Sequence, residues 1–155
     1  NALRMRPDRI VVGECRGGEA LDMVQAMNTG HDGSLTTAHA NSPRDALRRL
    51  EVMCLMAGMD LPMKAIREQL VSAINVIIQI GRFRDGTRKI TEVTELTGLQ
   101  NDTVSLQDIF KFNKKGFDQD GRLCGEFAAT GIVPEFVGQF REYGVEVDSN
   151  LFVET

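Results

Sequence analysis

The sequence predicts an α/β protein in which parallel strands with helices come first, and antiparallel hairpins with a C-terminal helix follow. Residues 10–38 hold an apolar run, a helical pattern and a second apolar run, the order of a strand, helix, strand unit. Further along, Asp85 and Gly86 separate two strand-like runs, and this dipeptide is a strong hairpin signal. The type of strand pairing is therefore expected to change near residue 83.

The first predicted strand is residues 10–12, an apolar run that stops at Gly13 and Glu14. This is typical of a buried parallel strand with an acidic tip. A helix is predicted over residues 19–28, because its apolar residues recur on one face and Gly30 is placed to end it.

The second predicted strand, residues 35–38, is followed directly by His39. Consecutive strands pair roughly two-thirds of the time, and strands joined by a helix run parallel. Glu14 and His39 are therefore expected to leave the same carboxyl edge of one sheet. In open α/β sheets this is the edge where ligands bind.

Two helices are predicted next, over residues 42–58 and about 62–73. The first begins with Ser42 as N-cap and Pro43 at the first helical position, and Gly58 follows its end. Apolar residues at helical spacing predict its core face. Four methionines near its end are expected to fill the core: Met53, Met56, Met59 and Met63.

The remaining elements are predicted to be antiparallel. The run 74–80 is the most strand-like in the chain, and Asp85-Gly86 predicts a type I′ turn after it. The other predicted elements are strands 89–96, 104–112 and 123–129, a loop at 113–122 and a helix at 134–143.

Composition sets limits on function. The chain has 155 residues and a formal net charge of -4, which leaves no overall basic footprint, so we expect no nucleic-acid partner. Three scattered cysteines indicate neither a disulfide framework nor a zinc site, and favour a reducing, cytosolic compartment. No stretch approaches the roughly 18 apolar residues of a membrane helix, so membrane association is expected through partners.

Glu14 is the main candidate for chemistry. A carboxylate at a strand tip can hold a magnesium-bound water or orient the water that attacks a phosphate. The alternative is a solvent-facing glutamate that pairs with Arg16, which itself either contacts phosphate or holds the loop. His39 has the same two interpretations, functional or structural, and His31 is expected to hydrogen-bond within its loop. A metal hydrolase is disfavoured because the HExxH spacing is absent.

The block RPDRIVVGECRGGEALDMVQAMNTGHDGSLTTAHANSPRDALRRLE resembles the Walker B and His-box region of the type II/IV secretion ATPases. The resemblance is greatest to the CpaF type of Flp/Tad pili, and it extends through Phe83 and more loosely to Thr130. It implies a partial RecA-like P-loop NTPase domain. It also implies that Glu14 is the catalytic Walker B acid and magnesium ligand, that His39 is the His-box residue, and that Gly13 and Arg16 adjoin the nucleotide.

The phosphate-loop pattern GxxxxGK[ST] occurs nowhere in these residues. The resemblance therefore implies that residues 1–83 are the later half of the ATPase core and residues 84–155 an appendage. Without that loop, we expect this part alone to be inactive and to associate through strand edges that have lost a neighbour.

The function implied by the resemblance is that of a motor ATPase, using ATP and Mg²⁺, in secretion or pilus assembly. Its implied partners are other copies in a hexameric ring and platform proteins of the inner membrane, reached from the cytoplasmic side. The alternative is a non-catalytic module that binds subunits or pilus components, and the missing phosphate loop is its main support.

Overall fold

The structure is a computed structural model that describes residues 2–58 and 60–154. It is mixed α/β, with a two-stranded parallel sheet and a four-stranded antiparallel sheet. Two compact units form. The first comprises residues up to Ile74 together with Gly98–Ser105, and the second comprises Asn75–Thr97 together with the residues from Leu106 onward. The predicted change from parallel to antiparallel pairing is confirmed.

The first unit contains a 3₁₀ turn, the two parallel strands and three helices. The strands β1 and β2 pair in parallel, with Val11 beside Leu35 and Val12 beside Thr36. The elements are a 3₁₀ turn at Ala2–Met5, β1 at Val11–Val12, α1 at Glu19–Met27, β2 at Leu35–Thr36, α2 at Pro43–Met56 and α3 at Met63–Ala73.

The helix ends follow the predicted capping residues. The hydroxyl of Ser42 accepts a hydrogen bond from the backbone N–H of Asp45 at 3.1 Å, and Pro43 opens α2. After α2, Gly58 takes a φ of +74°, the left-handed conformation that favours glycine. These local signals predicted α1, α2 and α3 to within two residues at each end.

Apolar faces of the three helices form the core of the first unit. Leu50, Ile66 and Leu70 are all at most 4% exposed. Around them lie further buried residues: Cys15, Ala20, Leu21, Met23, Val24, Met53 and Cys54. The expectation for the methionines is only partly met, because Met53 is buried whereas Met56 is exposed. Met59 lies outside the described residues.

The second unit is built on the antiparallel sheet, whose strand order is β3-β4-β5-β6. A small core forms around Ile109, Val137 and Phe152. The elements are β3 at Val76–Arg82, β4 at Arg88–Gln100, β5 at Thr103–Phe117, β6 at Leu123–Ala129, α4 at Val137–Glu142 and a 3₁₀ turn at Ser149–Phe152. The turn that joins β4 to β5 belongs to the first unit.

The hairpin at Asp85-Gly86 exists, but the predicted type I′ turn is wrong. Gly86 has a φ of +82°, whereas Asp85 is not among the residues with positive φ. The N–H of Gly86 donates to the carbonyl of Phe83 at 3.0 Å, which places Gly86 at the last position of a four-residue turn and not between its two central residues. The two positive φ values that type I′ requires occur instead at Asn101 and Asp102, between β4 and β5.

β4 and β5 are longer than predicted. Half of the predicted loop at 113–122 is strand, because β5 continues to Phe117 and only a tight turn precedes β6. Register shifts between Gln79 and Ile80, and between Lys114 and Gly116, interrupt the alternation on which the strand predictions relied. The terminal helix α4 is shorter than its prediction.

Candidate functional site

Glu14 and His39 follow the carboxyl ends of β1 and β2, and the structure brings them together. Parallel pairing continues past both strands: the N–H of Cys15 donates to the carbonyl of Thr37 at 2.9 Å. The hydroxyl of Thr37 donates to the carbonyl of Gly13 at 2.6 Å. As a result, Oε1 of Glu14 lies 3.0 Å from Nε2 of His39.

The carboxylate of Glu14 contacts two basic side chains. Its Oε2 accepts a hydrogen bond from Nε of Arg16 at 2.7 Å, while Oε1 faces the imidazole. The hydrogen bond from Arg16 is the main cause that lowers the pKa of Glu14, and the charges of Arg16, His39 and Arg49 act in the same direction. Glu14 is therefore ionised at neutral pH.

Exposure differs sharply between the three side chains. The side chain of Glu14 is 21% exposed, whereas those of Arg16 and His39 are 76% and 81% exposed. A sheltered carboxylate thus has two solvent-exposed partners, a guanidinium and an imidazole. Because both partners are exposed, an incoming anion can replace the carboxylate as their partner without disturbing the core.

Glu19 holds the loop between β1 and α1. Its Oε1 accepts hydrogen bonds from the backbone N–H groups of Arg16 and Gly17 at 2.7 and 3.0 Å. These bonds lower the pKa of Glu19, with that from Arg16 the largest cause. Sequence reasoning missed this residue. The available signal was an acid in the first turn of a helix that follows a Gly-Gly pair.

Two further residues anchor the same loop. Cys15 is buried, with its sulfur 3.2 Å from that of Met23, so the residue after Glu14 is fixed in the core. Gly18 packs closely on the end of α2, since a Cβ there would lie 3.1 Å from Cα of Ala57. The loop therefore presents Glu14 from a well-packed support.

The other predicted residues have simpler environments. A Cβ at Gly13 would meet no atom within 4 Å, so packing does not require glycine there. Nδ1 of His31 lies 3.0 Å from the carbonyl oxygen of Ala26, in the last turn of α1, so its side chain contacts the helix and not its own loop as predicted. Arg49 of α2 was not predicted to act on Glu14, but its charge contributes to lowering the pKa of Glu14.

Within residues 2–58 and 60–154, no cluster of three or more His, Cys, Asp or Glu side chains is arranged to hold a metal ion. In the same part of the chain, no helix combines the length and apolarity that crossing a membrane requires.

Comparison with a solved structure defines the class of protein. The VirB11 ATPase of the Brucella suis type IV secretion system, solved in complex with sulphate, superposes with a TM-score of 0.56 and 41% identity. The match covers 59% of this chain and 29% of that one. The fold is therefore that of part of a RecA-like secretion ATPase.

The family follows from sequence. Residues 1–122 match the family described as type II/IV secretion system protein, and the chain belongs to that family. A putative conjugal transfer protein of Mycobacterium tuberculosis is 37% identical over 126 residues, 71% of this chain and 35% of its own length. The type IV secretion system protein VirB11 of Bartonella henselae is 44% identical over 98 residues, 60% of this chain and 26% of its own length. This chain thus spans about a third or less of each of these relatives.

Proposed function

We propose that this chain is the part of a secretion or pilus-assembly motor ATPase that carries its Walker B acid, Glu14, and its His-box residue, His39. One observation supports this most directly. The two side chains lie 3.0 Å apart at the carboxyl ends of parallel strands, within the segment that matches the family. Both neighbouring strand ends thus supply a group suited to phosphoryl transfer.

The proposed roles follow from the contacts. Glu14 is ionised and sheltered, so it is suited to orient a water molecule or to accept its proton. His39 and Arg16 are exposed donors that can turn from Glu14 to a terminal phosphate. Gly13 keeps the backbone beside Glu14 uncovered.

Magnesium fits this site through a bound water. Both oxygens of Glu14 are already in contact with Arg16 and His39, so the carboxylate is better placed to hold a water of the ion than the ion itself. Mg²⁺ commonly keeps several waters and takes its other ligands from phosphate groups. When bound with ATP, it would neutralise charge on the phosphates.

The test is Glu14→Gln in the full-length protein. Nucleotide binding should remain, while turnover should fall by about 10²–10⁴, the usual contribution of a positioned acid–base group. Glu68→Gln is the matched control, because it removes the same charge from an exposed position on α3. Turnover of the Glu14 variant equal to that of the control would remove Glu14 from the mechanism.

A second candidate function is that of a non-catalytic interaction module, supported by the absence of a phosphate loop from these residues. Calorimetric titration of the full-length protein with ATP and Mg²⁺ separates the two, because a motor ATPase must bind nucleotide. The module interpretation expects no binding, and tight binding would contradict it.

The remaining proposals concern the assembly. We propose residues 1–83 as the later half of the ATPase core and residues 84–155 as its appendage. The full-length protein is proposed to form a hexameric ring on the cytoplasmic side of the inner membrane, bound to platform proteins. Assignment to the CpaF type of Flp/Tad pili stays a prediction. Electron microscopy of the full-length protein would test the ring.

A further inference from the structure

Glu19 occupies the first position of α1, but its carboxylate serves the loop that precedes the helix. Gly18, the N-cap residue, makes no side-chain cap bond. Oε1 of Glu19 reaches back and accepts hydrogen bonds from the N–H groups of Arg16 and Gly17, at 2.7 and 3.0 Å. The N–H of Arg16 lowers the pKa of Glu19 more than the N–H of Glu19 itself does. The main partner of this carboxylate is therefore the loop and not its own helix.

Gly17 leaves room for the second oxygen of the same carboxylate. A Cβ at residue 17 would lie 3.2 Å from Oε2 of Glu19, which is tighter than most Cβ contacts in proteins. The first oxygen receives two N–H groups, and the second rests against the one residue type that has no Cβ. The loop backbone and the Glu19 side chain thus fit each other closely.

Arg16 connects Glu19 to the candidate reaction site. Its backbone N–H donates to Glu19, while its Nε donates to Oε2 of Glu14 at 2.7 Å. The pKa of Arg16 is raised mainly by its hydrogen bond to Glu14, and the charge of Glu19 acts in the same direction. Arg16 is therefore held by one carboxylate at its backbone and contacts the other with its side chain.

The residues on either side of Glu14's loop have different anchors. Cys15 is 1% exposed, so packing in the core fixes the residue that follows Glu14. The side chain of Arg16 is 76% exposed, and its contact with Glu14 involves only the guanidinium. Packing cannot fix Arg16 in the same way, so the hydrogen bond from its N–H to Glu19 is what holds its backbone in place.

We propose that Glu19 is a positioning residue, which fixes the backbone of Arg16 and so sets the point from which the guanidinium contacts Glu14 and turns to a terminal phosphate. This inference rests on the proposed ATPase function. The alternative is that Glu19 only stabilises α1, as any acid in a first helical turn does through the helix dipole. The two roles make different demands on the side chain, since positioning needs its reach whereas the dipole needs its charge.

The experiment is steady-state ATPase kinetics of the full-length protein. Glu19→Ala should lower kcat by about tenfold to a hundredfold, because small misplacements of a catalytic group have large effects on rate. Glu19→Gln keeps an oxygen at the same reach and should lose less, whereas Glu19→Asp keeps the charge but is one methylene too short and should lose more. The reverse order, with Asp close to the unchanged protein and Gln impaired, is what a dipole role expects and would overturn the proposal. Thermal melting checks that each variant is folded.

Asp22→Ala is the matched control, because Asp22 is the other acid in the first turn of α1. It is exposed, and its side chain makes no hydrogen bond or ion pair within the described part of the chain. Its kcat should stay within about twofold of that of the unchanged protein, as expected for a surface change away from the loop. A loss equal to that of Glu19→Ala would assign the effect to the helix and overturn the proposal.

A double variant tests whether Glu19 acts through Arg16. If it does, Glu19→Ala should add less than about a twofold loss of kcat to Arg16→Ala, because residues that act as a unit are not additive. Losses that multiply, or no loss in Arg16→Ala alone, would overturn the proposal. Glu14→Gln separates this inference from the proposed function: normal turnover of that variant refutes the function, whereas slow turnover there and normal turnover of Glu19→Ala refutes only the role of Glu19.

Discussion

The two compact units hold several of their carboxylates in different ways. In the first, functional and structural carboxylates have cationic partners: Glu14 contacts Arg16 and His39, and Glu51 accepts from Arg67 at 2.7 Å. In the second, Asp85 and Glu95 accept hydrogen bonds from backbone N–H groups, and Asp85 also accepts one from the hydroxyl of Thr87. Asp108 and Glu126 in the same unit still pair with lysines. The contrast separates a candidate reaction site, where exposed side chains contact the carboxylate, from carboxylates that hold turns and loops by backbone hydrogen bonds.

The hydrophobic cores differ as well. Among the described residues, Leu70 belongs to a core cluster of ten buried residues, whereas the cluster of Ile109 has three, with Val137 and Phe152, and is completed by partly buried hydrophobic residues. Leu70→Ala should therefore cost about 3–5 kcal/mol in free energy of unfolding, and Ile109→Ala about 2–3 kcal/mol, because a looser site collapses more easily around a cavity. Equilibrium urea denaturation measures both changes.

Leu151→Ala is the control for these core variants. Its side chain is 59% exposed, so the change should stay within about 0.5 kcal/mol. An equal loss for the two core variants, or a larger loss at Ile109, would show that the small cluster is packed as tightly as the large one. The contrast between the cores would then disappear.

Glu95 is a carboxylate of the second unit that is buried to 3% exposure. Its two oxygens accept hydrogen bonds from the N–H groups of Glu135 and Phe136, at 3.0 and 3.1 Å, just before α4. Glu95→Ala leaves both donors without this acceptor, and should cost about 1–3 kcal/mol.

Glu95→Gln keeps one carbonyl acceptor and should therefore cost less than Glu95→Ala. Urea denaturation gives the two values, and amide hydrogen exchange at Glu135 and Phe136 should quicken most in the alanine variant. Slow exchange at both amides in that variant would mean that these N–H groups do not depend on Glu95.

Local signals predicted most of the first unit. Ser42, Pro43 and Gly58 act through their own backbone or the next turn, so α2 was found from sequence. The Glu14–His39 contact was also expected, because it needs only parallel pairing of two consecutive strands. The roles of Glu19 and Arg49 were missed, since they depend on how a loop folds back and which helix face lies near it.

The second unit was predicted less well, for an equally physical reason. Bulges in β3–β4 and β5–β6 interrupt alternation, so strand lengths were underestimated. The Asn101-Asp102 turn lacks the glycine that marked Asp85-Gly86, although asparagine and aspartate also tolerate positive φ. The burial of Glu95 depends on strand register, which the sequence pattern did not reveal.

The smallest predicted effect is a dependence on pH of the folding stability to which Asp85 contributes. Hydrogen bonds from the N–H of Leu123, and then from the hydroxyl and N–H of Thr87, lower the pKa of Asp85 from 3.8 to about 2. Because the pKa in the folded state lies below that of the unfolded chain, the stabilisation is fully present above about pH 4 and is lost as the pH falls toward 2. Asp85→Asn should therefore lose less stability than the unchanged protein over this interval. Urea midpoints measured between pH 4 and pH 2 test the prediction, and Asp60→Asn serves as an exposed control. If stability falls with pH in parallel for the Asp85 variant and the unchanged protein, the bond to Leu123 does not hold the two hairpin turns together.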